Sequence, residues 1–186
     1  FIKAFPNKEK VKLIIKSMNG SSYPLKLQSL KKIASTDARI LWIDETYSKE
    51  NYKNLLASCD CYVSLHRSSC FGLSLLDAIH MKKPVIATDY SGSKDFITSE
   101  TAFPVRYKVT KLRKNYFPYE AGSTWAEPDI SDAAKQMRFV FENYSISKNR
   151  AIHGHELVTQ KFSLSTVSQI YEQRLLRLRL GTPKNV

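Results

Sequence analysis

The segment from Asp60 to Phe96 constrains the fold of this chain more than any other stretch. It begins with the apolar run Cys61–Leu65, which is followed by a polar turn containing Gly72. Helix-spaced apolar residues then cover Leu73–Met81, and a second apolar run follows at Pro84–Thr88. Two strands joined by a helix form a right-handed crossover, which makes the strands parallel. The segment therefore predicts an open α/β sheet, and such sheets bind ligands at the carboxyl ends of their strands.

The rest of the chain continues this alternation as far as residue 106. The predicted strands are apolar runs more than alternating patterns, as expected for a parallel sheet covered by helices on both faces. They are Val11–Lys16, Arg39–Ile43, Cys61–Leu65, Pro84–Thr88 and Thr101–Val105. Helices are predicted from Pro24, after a cap at Ser48, over Leu73–Met81, after Asp129 or Ser131, over Lys148–Lys161 and after a cap at Ser163. Residues 107–128 are basic and aromatic, and we expect one long loop there.

The charge of the chain favours an anionic partner. Lysine and arginine number 29 against 17 acidic residues, which gives a net charge of +12. The excess lies in residues 1–36, in residues 106–114 and in the tail after Glu172, which contains Arg174, Arg177, Arg179 and Lys184. Nucleic acid, anionic lipid and phosphate-bearing substrates all fit such a field, and so does a solvated basic surface without a specific partner.

Several classes of protein are excluded or made less plausible by the sequence. No apolar run approaches the ~20 residues that a membrane-spanning helix needs, and residues 1–10 lack the apolar core of a secretory signal. Phe1 is not a methionine, and FIKAF ahead of PNKEK resembles the end of a helix, so we expect the chain to be part of a longer protein. Cys59, Cys61 and Cys70 are odd in number and lack zinc spacing, which favours free thiols in a reducing cytosol.

The turn between the first strand and helix of this segment is a candidate anion site. The first turn of a helix presents unpaired amide groups and a partial positive charge, so it binds phosphate without a basic side chain. Gly72 permits close approach of a ligand to the backbone. Asp77, one turn into the helix, suits a ribose diol. The plainer interpretation is a tightly packed turn followed by a solvated Asp.

Taken together, these residues match one family. The segment FGLSLLDAIHMKKPVIATDYSG, residues 71–92, resembles the donor-site motif of the retaining glycosyltransferases of family four. The flanking DCYVSLHRS and WAEPDISDAAKQMR are similar to bacterial polysaccharide and O-antigen glycosyltransferases of the group 1 type. The resemblance covers roughly residues 1–178. It implies the C-terminal, donor-binding half of an enzyme with two Rossmann-like domains.

The resemblance also implies a domain organisation. Residues 1–162 would form the Rossmann-like nucleotide-sugar-binding domain, without its first strand. Residues 163–186 would form a C-terminal helix and tail that pack back on this domain or toward the absent N-terminal domain.

The family's site residues are carried over position by position. Phe71, Gly72, Leu73 and Ser74 match the segment whose amides receive the donor diphosphate and sugar. Asp77 matches the second of two Glu residues and would hold the ribose hydroxyls.

The chain departs from the family pattern at three places. Ser69 stands where the first Glu contacts the transferred sugar, so a charged acceptor for a sugar hydroxyl is lost, at a cost of about 1.5–3 kcal/mol. Cys70 replaces a Gly, and Lys82–Lys83 replace a small-residue and Gly turn.

Three further residues are weaker candidates. Asp44 and Glu45 follow a strand at the carboxyl edge of the predicted sheet, where they would line the base pocket. Arg67 lies on the loop before the motif and would face the diphosphate. His66 beside it either shares that role or is packed inside the protein.

The implied function is transfer of a sugar, with retained configuration, from a nucleotide-diphospho-sugar to a glycan or lipid-linked acceptor. The acceptor would bind through the absent N-terminal domain, so we expect this chain alone to be inactive. No cofactor or metal is expected, because there is no paired Asp-x-Asp motif, and no nucleic acid partner is expected. The enzyme would be cytoplasmic, and its basic surface would hold it to anionic lipid at the inner face of the membrane.

Three alternatives stay open at the level of sequence. UDP-sugar 2-epimerases share this architecture, although the WAEPD and DYSG segments argue against them. Ser69 is compatible with an inactive glycosyltransferase-like scaffold. The charge and the aromatic residues of 107–119 are compatible with a basic Rossmann-like domain that binds nucleic acid or another partner.

Overall fold

The computed structural model describes the backbone of residues 1–180 and the side chains of residues 1–178. Over these residues the chain forms seven strands and six α-helices, which belong to two compact units. The first unit is Phe1–Cys59 and the second begins at Asp60. The side chain of Arg179 and the predicted tail beyond Leu180, with Lys184, lie outside the described residues.

The first unit consists of two parallel strands, each followed by a helix. Its elements are β1 (Leu13–Ser17), α1 (Pro24–Ala34), β2 (Ile40–Asp44) and α2 (Lys49–Ser58). In the ladder, Leu13 lies opposite Ile40 and Ser17 opposite Asp44. The predicted cap of α2 is confirmed, since the Asn51 amide donates to Ser48 Oγ at 3.1 Å.

The second unit contains a parallel sheet in which the central strand is fully buried. Its elements are β3 (Tyr62–Ser64), α3 (Leu73–His80), β4 (Val85–Thr88), β5 (Phe103–Val105), β6 (Tyr107–Lys111), β7 (Thr124–Pro128), α4 (Ile130–Glu142), α5 (Tyr144–Lys161) and α6 (Leu164–Leu180). The strand β4 lies between β3 and β5, and all three are parallel. All four residues of β4 are buried, as its uniformly apolar sequence predicts. The predicted α/β class is therefore confirmed.

Helices pack on the β3–β4–β5 sheet, and the core of the second unit lies between these helices and the sheet. The helix α4 contacts β4 and β5, and α3 contacts β3, β4 and α5. The central cluster consists of Ile86, Phe103, Val105, Ala133 and Val140. Because Ala133 and Val140 lie seven residues apart on α4, they share the face that points to the sheet. The Asp129 carboxylate caps this helix by accepting from the amides of Ser131 and Asp132.

The five parallel strands are distributed over two sheets, β1–β2 and β3–β4–β5. The strand β3 has only three residues, and its register is with β4.

The prediction of one long loop over residues 107–128 is wrong. The strands β6 and β7 form an antiparallel hairpin in which Tyr107 lies opposite Pro128 and Lys111 opposite Thr124. The two strands are brought together by contacts that sequence periodicity does not reveal. One of them is the hydrogen bond from the Asp129 amide to the Arg106 carbonyl at 2.7 Å, immediately beyond the hairpin.

The helix α3 ends in a Schellman motif that places a lysine where glycine is usual. The amide of Lys83 donates to the Ala78 carbonyl at 3.0 Å, and that of Lys82 to the Ile79 carbonyl at 2.8 Å. This geometry requires a left-handed residue, and Lys82 has φ 54°. A non-glycine residue there costs about 1 kcal/mol. The Lys148 ammonium donates to the Lys82 carbonyl at 2.8 Å, which helps to hold the turn.

Candidate functional site

The amino-terminal end of α3 presents unpaired amide groups. Gly72 caps the helix in the left-handed conformation (φ 88°, ψ 52°), which a residue with a Cβ rarely adopts. Its carbonyl accepts from the amides of Leu75 and Leu76 at 2.9 and 3.2 Å. Among the described residues, no acceptor is hydrogen-bonded to the amides of Leu73 and Ser74. These two donors and the helix dipole form a potential anion site.

Asp77 lies one helical turn beyond this amide pair, on the exposed side of α3. The opposite side of the helix is buried through Leu75, Leu76, Ala78 and Ile79. Leu73 is 71% exposed, and Asp77 is exposed as well. Within the part of the chain that the structure describes, the Asp77 carboxylate has no hydrogen bond or ion pair. The carboxylate is therefore available to accept hydrogen bonds from a ligand bound at the start of the helix.

The loop that precedes α3 is held by the loop that follows β4. The Ser91 hydroxyl donates to the Ser69 carbonyl. A Cβ on Gly92 would lie 1.9 Å from the Cys70 carbonyl oxygen, so only glycine fits this contact. The predicted sugar-contacting position, Ser69, is half-buried, and its backbone is thereby fixed relative to the second loop.

The side chain of Phe71 is part of an aromatic cluster. Its ring lies edge-on to Phe96 and Phe162, with centroids 5.5 and 5.6 Å away. Phe96 is 2% exposed, so the cluster is a packing contact between the α3 loop and the end of α5. Phe71 therefore anchors the loop, and what it can offer a ligand is its backbone amide.

His66 is a packed residue that joins the same two loops. Its Nε2 lies 3.1 Å from the Tyr90 carbonyl and 3.3 Å from Ser93 Oγ, and its Nδ1 lies 3.2 Å from Ser64 Oγ. A carbonyl can only accept, so the proton belongs on Nε2 and Nδ1 accepts from the serine. Both nitrogens are then satisfied within the protein, which supports the packed interpretation of His66.

Arg67 is bound by the β6–β7 hairpin, which the sequence did not predict. Its Nε and Nη2 donate to the two carboxylate oxygens of Glu127, both at 2.8 Å. The guanidinium carbon lies 4.7 Å from the centre of the Trp125 ring. The Ala126 amide also donates to the Arg67 carbonyl at 2.9 Å. The strand β7 therefore binds the loop after β3 through its backbone, and its side chains fix the orientation of the Arg67 side chain.

This ion pair shifts the pKa of both partners. The two hydrogen bonds from Arg67 lower the pKa of the Glu127 carboxyl below its ordinary value of 4.5. The same hydrogen bonds raise the pKa of Arg67. The side chains are 50% and 41% exposed, so Arg67 retains access to solvent while its charge is balanced.

Asp44 and Glu45 lie in the first unit. Asp44 Oδ1 accepts from Ser17 Oγ at 2.7 Å, and Ser17 Oγ in turn accepts from the Trp42 ring nitrogen at 3.0 Å. The Glu45 carbonyl accepts from the Lys16 ammonium. These contacts order the carboxyl ends of β1 and β2. The role of Asp44 and Glu45 in a base pocket stays a prediction.

The structure thus brings the predicted residues of the second unit together and adds four that the sequence missed as site neighbours. The loop of Ser69, the α3 start and Asp77 are contiguous, and Arg67 lies on the same loop. The missed residues are Ser91, Gly92, Trp125 and Glu127. All four lie in segments whose resemblance to a family was noted, DYSG and WAEPD, but no local pattern shows which residues they contact. The Arg67–Glu127 contact spans 60 positions.

Two other kinds of feature are absent from the described residues. No group of three or more His, Cys, Asp or Glu is placed to hold a metal ion. None of the described helices has the length and apolarity needed to cross a membrane. The three cysteines are free, as the sequence predicted.

Comparisons with solved structures show the fold of known glycosyltransferases. A glycosyltransferase from Rickettsia africae aligns with a TM-score of 0.67 at 17% identity, over 97% of this chain and 44% of that protein. HepE from Anabaena in complex with UDP-glucose aligns with a TM-score of 0.62 at 16% identity, over 91% of this chain and 42% of HepE. The C-terminal domain of LpcC, a group 1 family glycosyl transferase from Francisella tularensis, aligns with a TM-score of 0.62 at 19% identity, over 88% of this chain and 78% of that domain.

These likenesses establish the fold, and the family is shown by a separate comparison of the sequence. The chain spans less than half the length of HepE and of the Rickettsia protein. A comparison with curated proteins finds no significant match. The family model described as glycosyl transferases group 1 matches residues 1–153, which is most of the chain. The chain therefore belongs to the group 1 family of glycosyl transferases.

Proposed function

We propose that this chain is the donor-binding domain of a glycosyltransferase, and that it binds a nucleotide-diphospho-sugar at the start of α3. Membership of the group 1 family supports the class of reaction. The observation that carries the proposal is the arrangement at α3, where two unpaired amides follow a left-handed glycine and an uncommitted carboxylate lies one turn away. HepE, which shares the fold, has been seen with UDP-glucose bound.

Each part of the donor would contact different residues near the start of α3. The amides of Leu73 and Ser74 receive the diphosphate, and the backbone of Phe71 and Gly72 allows its close approach. The Asp77 carboxylate accepts hydrogen bonds from the two ribose hydroxyls. Ser69 lies where the transferred sugar would be, and its hydroxyl offers one neutral contact.

The start of α3 would also assist departure of the nucleoside diphosphate. Negative charge builds up on the diphosphate as the bond to the sugar breaks, and fixed amide donors stabilise charge where it develops. We propose that the sugar is transferred with retained configuration and that no metal takes part. Arg67 adds positive charge beside the loop, although its guanidinium is shared with Glu127.

The acceptor site would lie on another domain of the parent protein. We propose that this chain is the C-terminal half of that protein; the LpcC structure that it resembles is likewise a C-terminal domain. Residues 1–162 would bind the donor. The exposed apolar side of α6 would then pack toward the domain that binds the acceptor, which supports the assignment of residues 163–186 as a separate element.

The wider setting of the reaction is also a proposal. The resemblance of the flanks to the polysaccharide and O-antigen branch favours a glycan or lipid-linked acceptor. The net charge of +12 favours a cytoplasmic enzyme that associates with the anionic inner face of a membrane.

The test is calorimetric titration of the full-length parent with UDP, GDP and their sugar conjugates. One nucleotide should bind saturably, which would identify the base. Asp77→Ala should weaken that binding by about 10- to 100-fold, because a hydrogen bond to a charged group contributes about 1.5–3 kcal/mol. Glu100→Ala removes an exposed carboxylate elsewhere in the second unit and should leave binding unchanged.

The outcomes separate the rival functions. A sugar conjugate that binds no tighter than the bare diphosphate would indicate that Ser69 has lost the sugar contact and would favour the inactive scaffold. Absence of binding to every nucleotide would overturn the donor-site proposal. Salt-dependent binding to nucleic acid, with no nucleotide binding, would favour the basic nucleic-acid-binding alternative.

A further inference from the structure

The connection between β6 and β7 is a closed and hydrogen-bonded turn. The amides of Tyr116 and Tyr119 each donate to the carbonyl of the other, both at 2.7 Å. Farther down, the Leu112 amide donates to the Ser123 carbonyl at 2.8 Å, and Asn115 Oδ1 accepts from the Ala121 amide at 2.8 Å. These bonds fix residues 112–123, here called the hairpin tip, and place Phe117 at its apex.

The apex residue is an exposed phenylalanine. Phe117 is 90% exposed, compared with 42% for Tyr116 and 37% for Tyr119. Nothing in the described part of the chain covers its ring. Burial of a phenylalanine side chain is favourable, so a fixed turn that holds one in water forgoes this gain unless a partner covers it.

The hairpin tip is braced against the body of the second unit. The rings of Tyr116 and Tyr119 lie 5.1 and 6.2 Å from that of Trp125. Trp125 is in turn in contact with Arg67, which is bound to Glu127. The two tyrosine rings therefore pack on Trp125, and Phe117 is the most exposed of the three aromatic side chains of the tip.

Exposed cations lie along the chain that leads to the apex. They are Lys111 at the end of β6 and Arg113 and Lys114 in the hairpin tip, together called the collar, and all three side chains are solvent-accessible. The Lys114 ammonium lies 5.3 Å from the centre of the Tyr116 ring. The hairpin also contains Glu120 and Glu127, of which Glu127 is neutralised by Arg67. The hairpin thus combines one apolar apex with a positive collar.

We propose that the hairpin tip is a membrane anchor that binds the interface of an anionic bilayer. Phe117 would enter the boundary between headgroups and acyl chains, and the collar would contact lipid phosphates. The positive charge of the collar is complementary to the negative charge of the lipid phosphates. A single-stranded nucleic acid fits less well, because it requires a row of open aromatic faces, and two of the three tip rings are already packed on Trp125.

The proposal deepens the membrane association proposed above and rests on it. Since the hairpin tip is tied to the Arg67 loop by β7, a bilayer bound there would lie on the same side of the second unit as that loop. Bilayer binding does not require an occupied donor site, so its failure can be measured separately from failure of the donor-site proposal.

The experiment is co-sedimentation of the full-length parent with vesicles of phosphatidylcholine, with or without phosphatidylglycerol. Binding should appear with the anionic vesicles only. Phe117→Ala should weaken it by about 10-fold. Replacement of Lys111, Arg113 and Lys114 by Gln should weaken it by about 100-fold, because each cation near an anionic surface contributes a factor of about five.

Matched variants separate the hairpin tip from the general charge of the protein. Ile146→Ala removes another exposed apolar residue, on α5, and should not change binding. Replacement of Lys26, Lys31 and Lys32 on α1 by Gln removes the same charge and should have a much smaller effect. Phe117→Ala should also keep full affinity for the nucleotide in calorimetry, which shows that the variant is folded.

A second readout reports insertion directly. The emission of Phe117→Trp should shift to the blue on addition of anionic vesicles, and that of Ile146→Trp should not. The proposal would be overturned by equal losses of vesicle binding in the two charge variants, or by an unshifted Phe117→Trp emission. It would also be overturned if the parent bound no vesicles and instead bound single-stranded nucleic acid, with that binding lost in Phe117→Ala.

Discussion

Arg67 and Glu127 illustrate how one residue pair determines the direction of a site side chain. The ion pair is bidentate, and the Arg67 guanidinium also lies over the Trp125 ring. This geometry fixes the orientation of a guanidinium more firmly than a single hydrogen bond does. Both side chains remain about half exposed, so solvent screens much of the attraction. The pair therefore contributes more to orientation than to stability.

We expect Glu127→Gln to lower the free energy of unfolding by about 0.5–1 kcal/mol at pH 7 and low salt. Because Arg67 lowers the pKa of Glu127, the pair stabilises the fold above the ordinary value of 4.5. As the pH falls below 4.5 through the lowered pKa, the carboxylate is protonated and this stability is lost. Urea unfolding of the two proteins across that range should show the difference between them shrinking.

Glu120 provides the matched control for this prediction. It is an exposed carboxylate on the same hairpin. Glu120→Gln should change the free energy of unfolding by less than about 0.5 kcal/mol at any pH in the range. Equal effects of the two substitutions, or a Glu127→Gln effect that does not depend on pH, would contradict the role given to the pair.

At the scale of elements, the candidate site is a contact between two loops. The loop before α3 carries Ser69 and Cys70, and the loop after β4 carries Ser91 and Gly92. Besides the hydrogen bond from Ser91, the two backbones touch where a Cβ on Gly92 would lie 1.9 Å from the Cys70 oxygen. The position of the α3 start therefore depends on a residue that lies about 20 positions farther along the chain.

We expect Gly92→Ala to force the two loops apart. A contact of 1.9 Å against backbone cannot be relieved by a side-chain movement, so the free energy of unfolding should fall by more than about 2 kcal/mol. Nucleotide affinity should fall as well, since the unpaired amides move with the loop. Chemical unfolding and calorimetry measure the two effects. Ser68, an exposed residue on the loop before α3, provides the control, and Ser68→Ala should change neither the free energy of unfolding nor the nucleotide affinity. If Gly92→Ala also changed neither, the contact between the two loops would not be needed to position the start of α3.

The sequence predicted the elements whose signals are local. The apolar run Pro84–Thr88 became the buried β4, and the caps Ser48 and Asp129 start helices where expected. The hairpin was missed because β6 and β7 are separated by residues 112–123, so that no short turn signal joins the two strands. A two-residue turn would have indicated the pairing, whereas this one depends on tertiary contacts.

The same distinction applies to the candidate site. The unpaired amides and Asp77 follow from a strand, a glycine and a helix that are adjacent in sequence, so they could be predicted. The packed state of His66 and the pairing of Arg67 depend on residues 24 and 60 positions away. No alternation or motif spacing encodes those contacts, and a sequence-based argument leaves both residues open as diphosphate ligands.

At the scale of the whole molecule, α6 is a helix whose apolar side chains are largely left uncovered by the unit to which it belongs. It contacts α5, yet it leaves an open apolar groove that includes Leu164, Tyr171 and Leu175. These side chains are 85%, 67% and 63% exposed. An amphipathic helix with an uncovered apolar side is expected to have a partner surface, which the proposal assigns to another domain of the parent.

We expect Leu175→Lys to discriminate between this chain and its full-length parent. In residues 1–186 alone, the substitution should change the free energy of unfolding by less than about 0.5 kcal/mol, because Leu175 is already 63% exposed. In the parent, it should destabilise the contact between domains by about 1.5–3 kcal/mol, since a charge would replace a buried leucine. Gln173→Lys introduces the same charge on the same helix, outside the groove, and should be neutral in both proteins. Chemical unfolding of the four variant proteins decides the matter: equal effects of Leu175→Lys in the two lengths would mean that α6 is not covered in the parent, and the apolar groove would then require a different occupant.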